Sequence, residues 1–240
     1  MAVPQGQEYI QYLLDLEPIL SRFKHHSLMC LNLKKGEKIL DAGCGIGLDL
    51  PKFSKIVGNH NVYGLDKDEL CVQEAKKNYS ETNISCGDLS STGFNNYFFD
   101  AVHMNRVLMH VWDPEKIVQE MKRILKPQGR IVVSETCWSK LTITNAQNLE
   151  ALVRRALINT LPSGKISEQI ESILARNFVI NTKVIHSFDL TYNQAFWILR
   201  VEELKQKITA EELKLFNSFF PSRANVIFQL PLLTIAAIKS

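Results

Sequence analysis

What the chain lacks narrows its function before any motif is read. Its five cysteines, Cys30, Cys44, Cys71, Cys86 and Cys137, are odd in number and scattered. They form no C-x-x-C pair, so neither a zinc site nor a disulfide framework is indicated. No metal centre is expected, and a reducing cytoplasm is the expected location. No apolar run reaches the roughly 18–20 residues that cross a bilayer. The most apolar segment, Val226 to Ile238, is broken by Gln229 and Pro231. No N-terminal signal pattern is visible. Basic runs are also missing: Lys34-Lys35 and Lys76-Lys77 are ordinary pairs, and a net charge of +3 gives no reason to expect nucleic acid. There is no internal repeat, low-complexity tract or linker. A chain of 240 residues, 45% hydrophobic and 22% charged, therefore suits one globular domain with a large core.

One more absence is informative because of where it falls. Lys38-Ile39-Leu40-Asp41-Ala42-Gly43-Cys44-Gly45-Ile46-Gly47-Leu48 is a short apolar run that ends in an acid and three alternating glycines. The pattern predicts a buried strand turning sharply into a helix, with free backbone N–H groups where a ligand can approach the main chain. A dinucleotide fold would place its third glycine at position 48, where this chain has Leu48. Asp41 at the strand end would repel a pyrophosphate and attract an ammonium group.

Asp41-Ala-Gly-Cys-Gly-Ile-Gly47 resembles the first motif of class I S-adenosylmethionine-dependent methyltransferases, whose loop holds the amino-acid end of the cofactor. Val62-Tyr63-Gly64-Leu65-Asp66 is a second strand ending in an acid, about 20 residues past the glycines, where a βαβ unit brings the next strand end beside the nucleotide. Asp66 can accept hydrogen bonds from both ribose hydroxyls. It can also be read as a helix cap, although Asp68 is the better one. A third strand over Asn83 to Ser85 leads to Asp88 and Leu89, which the resemblance places beside the adenine; an ordinary Gly-Asp turn fits equally. Phe98 to Met104 is the fourth strand, bringing Asn105 and Arg106 to the crevice. Asp113 and Pro114 start a helix that runs to Leu125, and Arg130 to Glu135 is the fifth strand.

Asn105-Arg-Val-Leu-Met-His-Val-Trp-Asp-Pro114, together with Leu125-Lys-Pro-Gln-Gly-Arg130 and the strand after it, is similar to small-molecule methyltransferases of the ubiquinone and menaquinone C-methyltransferase type. Those commonly have Pro-Gly-Gly where this chain has Pro127-Gln128-Gly129. The resemblance covers residues 20–136. It implies an α/β fold, a doubly wound seven-stranded Rossmann-like sheet in the order 3-2-1-4-5-7-6 with the last strand antiparallel. It also implies one methyltransferase domain over 1–240: a helical cap over 1–35, a cofactor core over 36–136 and a substrate side over 137–240. S-adenosyl-L-methionine is the implied cofactor, held by Arg22, Asp41, Gly43, Cys44, Gly45, Gly47, Asp66, Lys67, Asp88, Leu89, Asn105 and Arg106.

Outside the core, apolar periodicity predicts helix over 8–31, divided by Pro18. Helices are also expected over 144–176 with a break at Pro162-Ser163-Gly164, over 192–206, and over 210–219 behind a Thr209/Glu212 capping box. Strands are expected over Phe178 to Leu190 and Val226 to Ile238, with a bulge or strand start at Pro231. Displacement at a sulfonium methyl needs an aligned acceptor and excluded water, and a base only when the acceptor must lose a proton. His110, just beyond the fourth strand, fits that role; packing beside the cofactor fits it too. Tyr9, Tyr12, Trp112, Trp138 and Trp197 are candidates to line an apolar pocket for a quinone, polyketide, phenolic or lipid-like small molecule, though core packing explains most of these rings as well. Two other classes remain open: a non-catalytic binding protein on the same fold, and an NAD-dependent oxidoreductase, against which Leu48 argues. The acceptor and the oligomeric state are not specified by the sequence.

Overall fold

The computed structural model describes residues 6–191, 205–206, 208–219 and 227–240. Five apolar runs form the parallel half of one sheet: β1 (Ile39–Ala42), β2 (Val62–Asp66), β3 (Asn83–Cys86), β4 (Phe99–Asn105) and β5 (Leu125–Thr136). β1 lies between β2 and β4, pairing in parallel with both, and all four of its residues are buried. That is why Ile-Leu-Asp-Ala reads as a continuous run instead of alternating. β3 adds outside β2 and β5 outside β4, again in parallel.

Three strands complete the sheet: β6 (Thr142–Ile143), β7 (Val179–Thr191) and β8 (Ile227–Ile238). β8 runs antiparallel to β5 along one edge and antiparallel to β7 along the other. The order is therefore 3-2-1-4-5-8-7, the expected seven-stranded arrangement with β7 and β8 as its sixth and seventh strands. The two-residue β6 is an unforeseen addition, continuing the β5 edge of β8 at Gln229 and Phe228. Pro231 lies inside β8 without the expected bulge or strand start. Its carbonyl accepts from Cys137 N at 2.9 Å, so its missing N–H falls where the chain has left β5 and not yet reached β6.

Helices cover both faces: α1 (Gln7–Leu31), α2 (Leu50–Val57), α3 (Glu69–Asn78), α4 (Pro114–Ile124), α5 (Gln147–Thr160), α6 (Ile166–Ala175) and α7 (Ala210–Phe219). Alternate strand residues serve opposite cores. Ile39, Ala101 and Val132 pack with Leu50, Phe53 and Val57 of α2, whereas Leu40, Val102 and Val133 pack with Ile117, Val118 and Met121 of α4. Side-chain caps start α3 and α4, with Asp68 accepting from Cys71 N and Asp113 from Lys116 N, both at 3.0 Å. The Thr209/Glu212 box closes reciprocally at 3.2 and 2.8 Å.

α1 corrects one expectation: it continues through Pro18 as a single helix to a left-handed Asn32. The proline removes one backbone hydrogen bond, while Leu16 and Leu20 beside it are buried against the sheet and hold the axis. Of the helix expected over 192–206, residues 192–204 lie outside the described residues. Among the described residues no helix is long and apolar enough to cross a membrane.

Candidate functional site

The order of the sheet reverses between β1 and β4, and the chain leaving β1 enters that crevice as the glycine turn. Gly43, Gly45 and Gly47 all have positive φ, at 81°, 52° and 80°. Gly43 N and Cys44 N both donate to Leu65 O, at 2.8 and 3.2 Å, which folds the turn back against β2. A Cβ on Gly43 would stand 2.5 Å from Val107 Cγ2, and one on Gly47 would stand 2.9 Å from Tyr79. Gly45 is freer, with only Leu13 within reach at 3.4 Å.

Asp66, at the end of β2, faces this turn. Its Oδ2 accepts from Gly45 N at 2.8 Å and its Oδ1 from Asp68 N at 3.0 Å. Burial holds the carboxyl above its ordinary range, and those two N–H groups oppose the shift. Each oxygen keeps a lone pair for another donor. The start of α1 roofs the same space. Ile10 packs with Ile46 and Cys71, and Tyr9, Leu13 and Leu48 lie against them. Tyr9 stacks on Tyr12 with ring centroids 6.0 Å apart. Burial, then the Asp66 charge, pushes the Tyr9 phenol well up. Arg106 Nη2 reaches Tyr12 OH at 3.5 Å, so the segment after β4 meets the roof. The turn, Asp66, Tyr9, Tyr12 and Arg106 thus come together around one crevice.

Other predicted residues take different places. Asp41 is 4% exposed and its Oδ1 lies 2.8 Å from His103 Nδ1, beneath the turn. Cys44 is buried, its thiol pushed up by burial and then by the Asp41 charge. Asp88 is exposed and folds back on Ser90, whose N–H and hydroxyl hold its carboxyl below the usual range; Leu89 behind it is buried. Lys67 is exposed, and Asn105 is half-buried opposite Ser134. His110 closes a 3₁₀ turn (Leu108–His110), its N–H donating to Val107 O at 3.0 Å. Trp112, expected in the pocket, is 86% exposed because it falls between that turn and the cap of α4. Trp138 is buried and its Nε1 has no partner. The Arg22 side chain and Trp197 lie outside the described residues.

Two features were not anticipated. Under the turn, Asp41, Asp49 and His103 bring ligand-type atoms within 4.8 Å of one another. Their charges are already engaged, since Asp49 pairs with Lys24 at 3.0 Å and with Lys52 at 2.7 Å. The other feature is Glu135, 1% exposed at the end of β5. Its Oε1 accepts from Val107 N at 3.1 Å and Leu108 N at 2.7 Å, while its Oε2 has no partner. Burial pushes its carboxyl up to about 7 against the pull of those N–H groups and of Arg106. The sequence signal was an acid closing an apolar strand, the same signal that marked Asp41 and Asp66.

Comparison with known proteins agrees with this geometry. Residues 40–133 match the methyltransferase domain family. An uncharacterized 37.1 kDa protein in transposon TN4556 of Streptomyces fradiae is 30% identical over 190 residues, covering 76% of this chain and 55% of that protein. Sterol 24-C-methyltransferase erg6 of Aspergillus fumigatus is 30% identical over 137 residues, covering 55% of this chain and 34% of its own. The chain thus spans about half or less of these relatives' lengths. Among solved structures, geranyl diphosphate C-methyltransferase from Streptomyces coelicolor, in complex with Mg2+, geranyl diphosphate and S-adenosyl-L-homocysteine, superposes with a TM-score of 0.62 at 19% identity. That match covers 100% of this chain and 86% of the other.

Proposed function

We propose that this chain is a class I methyltransferase that binds S-adenosylmethionine at the glycine turn and transfers its methyl group to a small, partly apolar molecule. The observation that carries the reading is the carboxylate of Asp66 set against Gly45 N in a turn with no room for side chains at Gly43 and Gly47. The residues fit the cofactor. Asp66 keeps acceptor capacity for two hydroxyls, and the turn presents main chain to the methionine end. Negative charge at Asp66 suits a ligand with an ammonium group better than a pyrophosphate. Bound there, S-adenosylmethionine supplies an electrophilic methyl on a leaving group that is already activated.

The chain's own residues then bind, orient and exclude water. Tyr9 and Tyr12 cover the crevice from α1, and Arg106 joins that cover to the segment after β4. Val107 sets the width of the turn through its contact at Gly43. His110, on the same segment, is the proposed proton acceptor or acceptor-positioning group. The apolar faces of Tyr9 and Tyr12 suit a quinone, phenolic, polyketide or lipid-like acceptor. The proposal treats 1–240 as one functional unit: cap over 1–35, core over 36–136, substrate side over 137–240. It also places the unit in the cytoplasm, in keeping with five free cysteines.

Ligand-dependent unfolding tests the cofactor. S-adenosylmethionine or S-adenosylhomocysteine at 100 times its dissociation constant should stabilise the protein by about 2.7 kcal/mol. NAD should give nothing comparable, and Asp66→Ala should abolish most of the shift while leaving the fold intact. A shift with NAD alone would transfer the site to the oxidoreductases. For turnover, acceptors are screened by S-adenosylhomocysteine release. His110→Ala should then lower turnover by roughly 10²–10⁴ if the acceptor must lose a proton. Cofactor binding without release for any acceptor would favour the non-catalytic reading.

A further inference from the structure

We infer that Glu135 is a positioning residue for the cofactor site: its carboxylate holds the segment after β4 against the glycine turn, so cofactor affinity follows its ionisation. The inference rests on the S-adenosylmethionine reading above. Three observations carry it. First, one oxygen of Glu135 accepts two consecutive backbone N–H groups, Val107 and Leu108, at the start of the 3₁₀ turn that carries His110. Second, Val107 is the residue whose side chain presses on Gly43, leaving no space for a Cβ there. The carboxylate, the post-β4 segment and the glycine turn therefore form one mechanical chain. Third, Glu135 Oε2 and Arg106 Nε are both buried without partners, although the two groups interact electrostatically. Arg106 itself is held at a φ of 59°, a backbone region that side chains rarely adopt. The segment is thus strained at Arg106 and secured one residue later by Glu135.

Glu135 is too deeply enclosed to touch a ligand, so it acts through the backbone it holds. An ionised carboxylate is a stronger acceptor for Val107 N and Leu108 N than a neutral carboxyl group. Its burial sets the change of state close to neutral pH. One other group near it, the His110 imidazole on the 3₁₀ turn that Glu135 holds, is of a type that titrates near neutral pH, and His110→Gln removes it. Arg106 keeps its charge, the Cys137 thiol two residues on is pushed up by burial, and the Tyr9 phenol beyond Arg106 is pushed up too. The sign follows: affinity for S-adenosylhomocysteine rises as pH rises through about 7, because the anion is the form that fixes the segment.

The test is calorimetric titration of S-adenosylhomocysteine between pH 5.5 and 8.5. The wild type should tighten about tenfold across that range, the difference between a neutral and a charge-assisted hydrogen bond. Glu135→Gln keeps the size and one acceptor but cannot ionise, and its affinity should not vary with pH. His110→Gln should keep the wild-type slope. The reciprocal measurement needs no variant: ¹³C-carboxyl NMR of glutamate-labelled protein should show one carboxyl titrating near 7, lowered about one unit by S-adenosylhomocysteine. A wild-type affinity that does not vary with pH overturns the inference. So does a slope that survives in Glu135→Gln, a slope lost in His110→Gln, or a carboxyl whose titration ignores the ligand. If S-adenosylhomocysteine binds at no pH, the cofactor reading itself falls; binding without pH dependence removes only the role of Glu135.

Discussion

Two buried carboxylates on either side of β4 have opposite electrostatic fates. Asp49, beneath the glycine turn, is pushed up by burial, but Lys24, His103 and Lys52 pull it below the ordinary carboxylate range. Glu135, beneath the post-β4 segment, faces the backbone N–H groups of Leu108, Val107 and Met109 and one neighbouring guanidinium, and burial wins, raising it to about 7. Burial alone therefore does not decide the charge state of a buried acid. What decides it is how many opposite charges face the carboxylate and how closely: two ammonium groups lie within 3.0 Å of Asp49, whereas Glu135 has one guanidinium that makes no ion pair with it. The Asp49 region is a fixed prop: Lys24 and Lys52 each reach both Asp49 and Glu17, tying α1 to the start of α2. The Glu135 region, with an unpartnered oxygen and an unpartnered Arg106 Nε, can respond to protons.

The largest break in that comparison is Lys24→Met. It removes one of the two ammonium groups from Asp49, whose side chain is 8% exposed. Breaking a buried pair costs about 3–5 kcal/mol, and with Lys52 remaining the expected loss is about 3 kcal/mol in urea unfolding at pH 7. The sign with pH is fixed by the depressed pKa. The stabilisation by Asp49 is present above the ordinary carboxylate value and lost as pH falls through its lowered one. The gap between wild type and Lys24→Met should therefore narrow in acid. An equal gap at pH 7 and pH 3 would mean that packing, not charge, makes Lys24 matter.

Glu135→Gln should work in the opposite direction. A carboxyl raised from 4.5 to about 7 on folding stabilises the fold only while protonated. That contribution is complete below the unfolded value and lost as pH rises through about 7. The wild type should lose up to about 3 kcal/mol between pH 4.5 and 8, at roughly 1.4 kcal/mol per unit. Gln has no charge to bury but is a weaker acceptor, so Glu135→Gln should be about 2 kcal/mol more stable than wild type at pH 8. Equal stability there would put the raised pKa in doubt.

The same contrast explains how much of the molecule was legible in its sequence. The β1 turn, Asp66, the caps at Asp68 and Asp113 and the Thr209/Glu212 box depend on residues within one turn or one βα unit, and local pattern found them. The order 3-2-1-4-5-8-7 came from the resemblance, because nothing in the periodicity of β8 says that it inserts between β5 and β7. Glu17, Lys24, Asp49 and His103 meet only after α1 lies across the sheet, so no local pattern joins them. Glu135 was visible as an acid ending a strand, but its meaning depends on two N–H groups 27 and 28 residues away. Trp112 shows the reverse error: an aromatic near the site was assigned to the pocket, yet its position before the α4 cap turns it to solvent.

The smallest test makes the fixed region resemble the responsive one by giving it an unpartnered atom. Ser27 is 1% exposed on α1; its hydroxyl donates to Lys24 O at 2.7 Å and lies 3.3 Å from His103 Nε2. His103 Nδ1 is held by Asp41 at 2.8 Å, so Ser27 is the partner that the structure gives to the other ring nitrogen. Ser27→Ala removes one oxygen, raises helix propensity slightly, and leaves His103 Nε2 buried and alone. The expected cost is about 1 kcal/mol, the low end for an unsatisfied buried polar atom, because the pair is long at 3.3 Å. The loss should appear in urea unfolding, with S-adenosylhomocysteine affinity nearly unchanged, since Asp41 still anchors the ring beneath the turn. A larger loss of affinity than of stability would show that the network under the turn also adjusts the cofactor site, and the distinction between a fixed and a responsive side of β4 would fail.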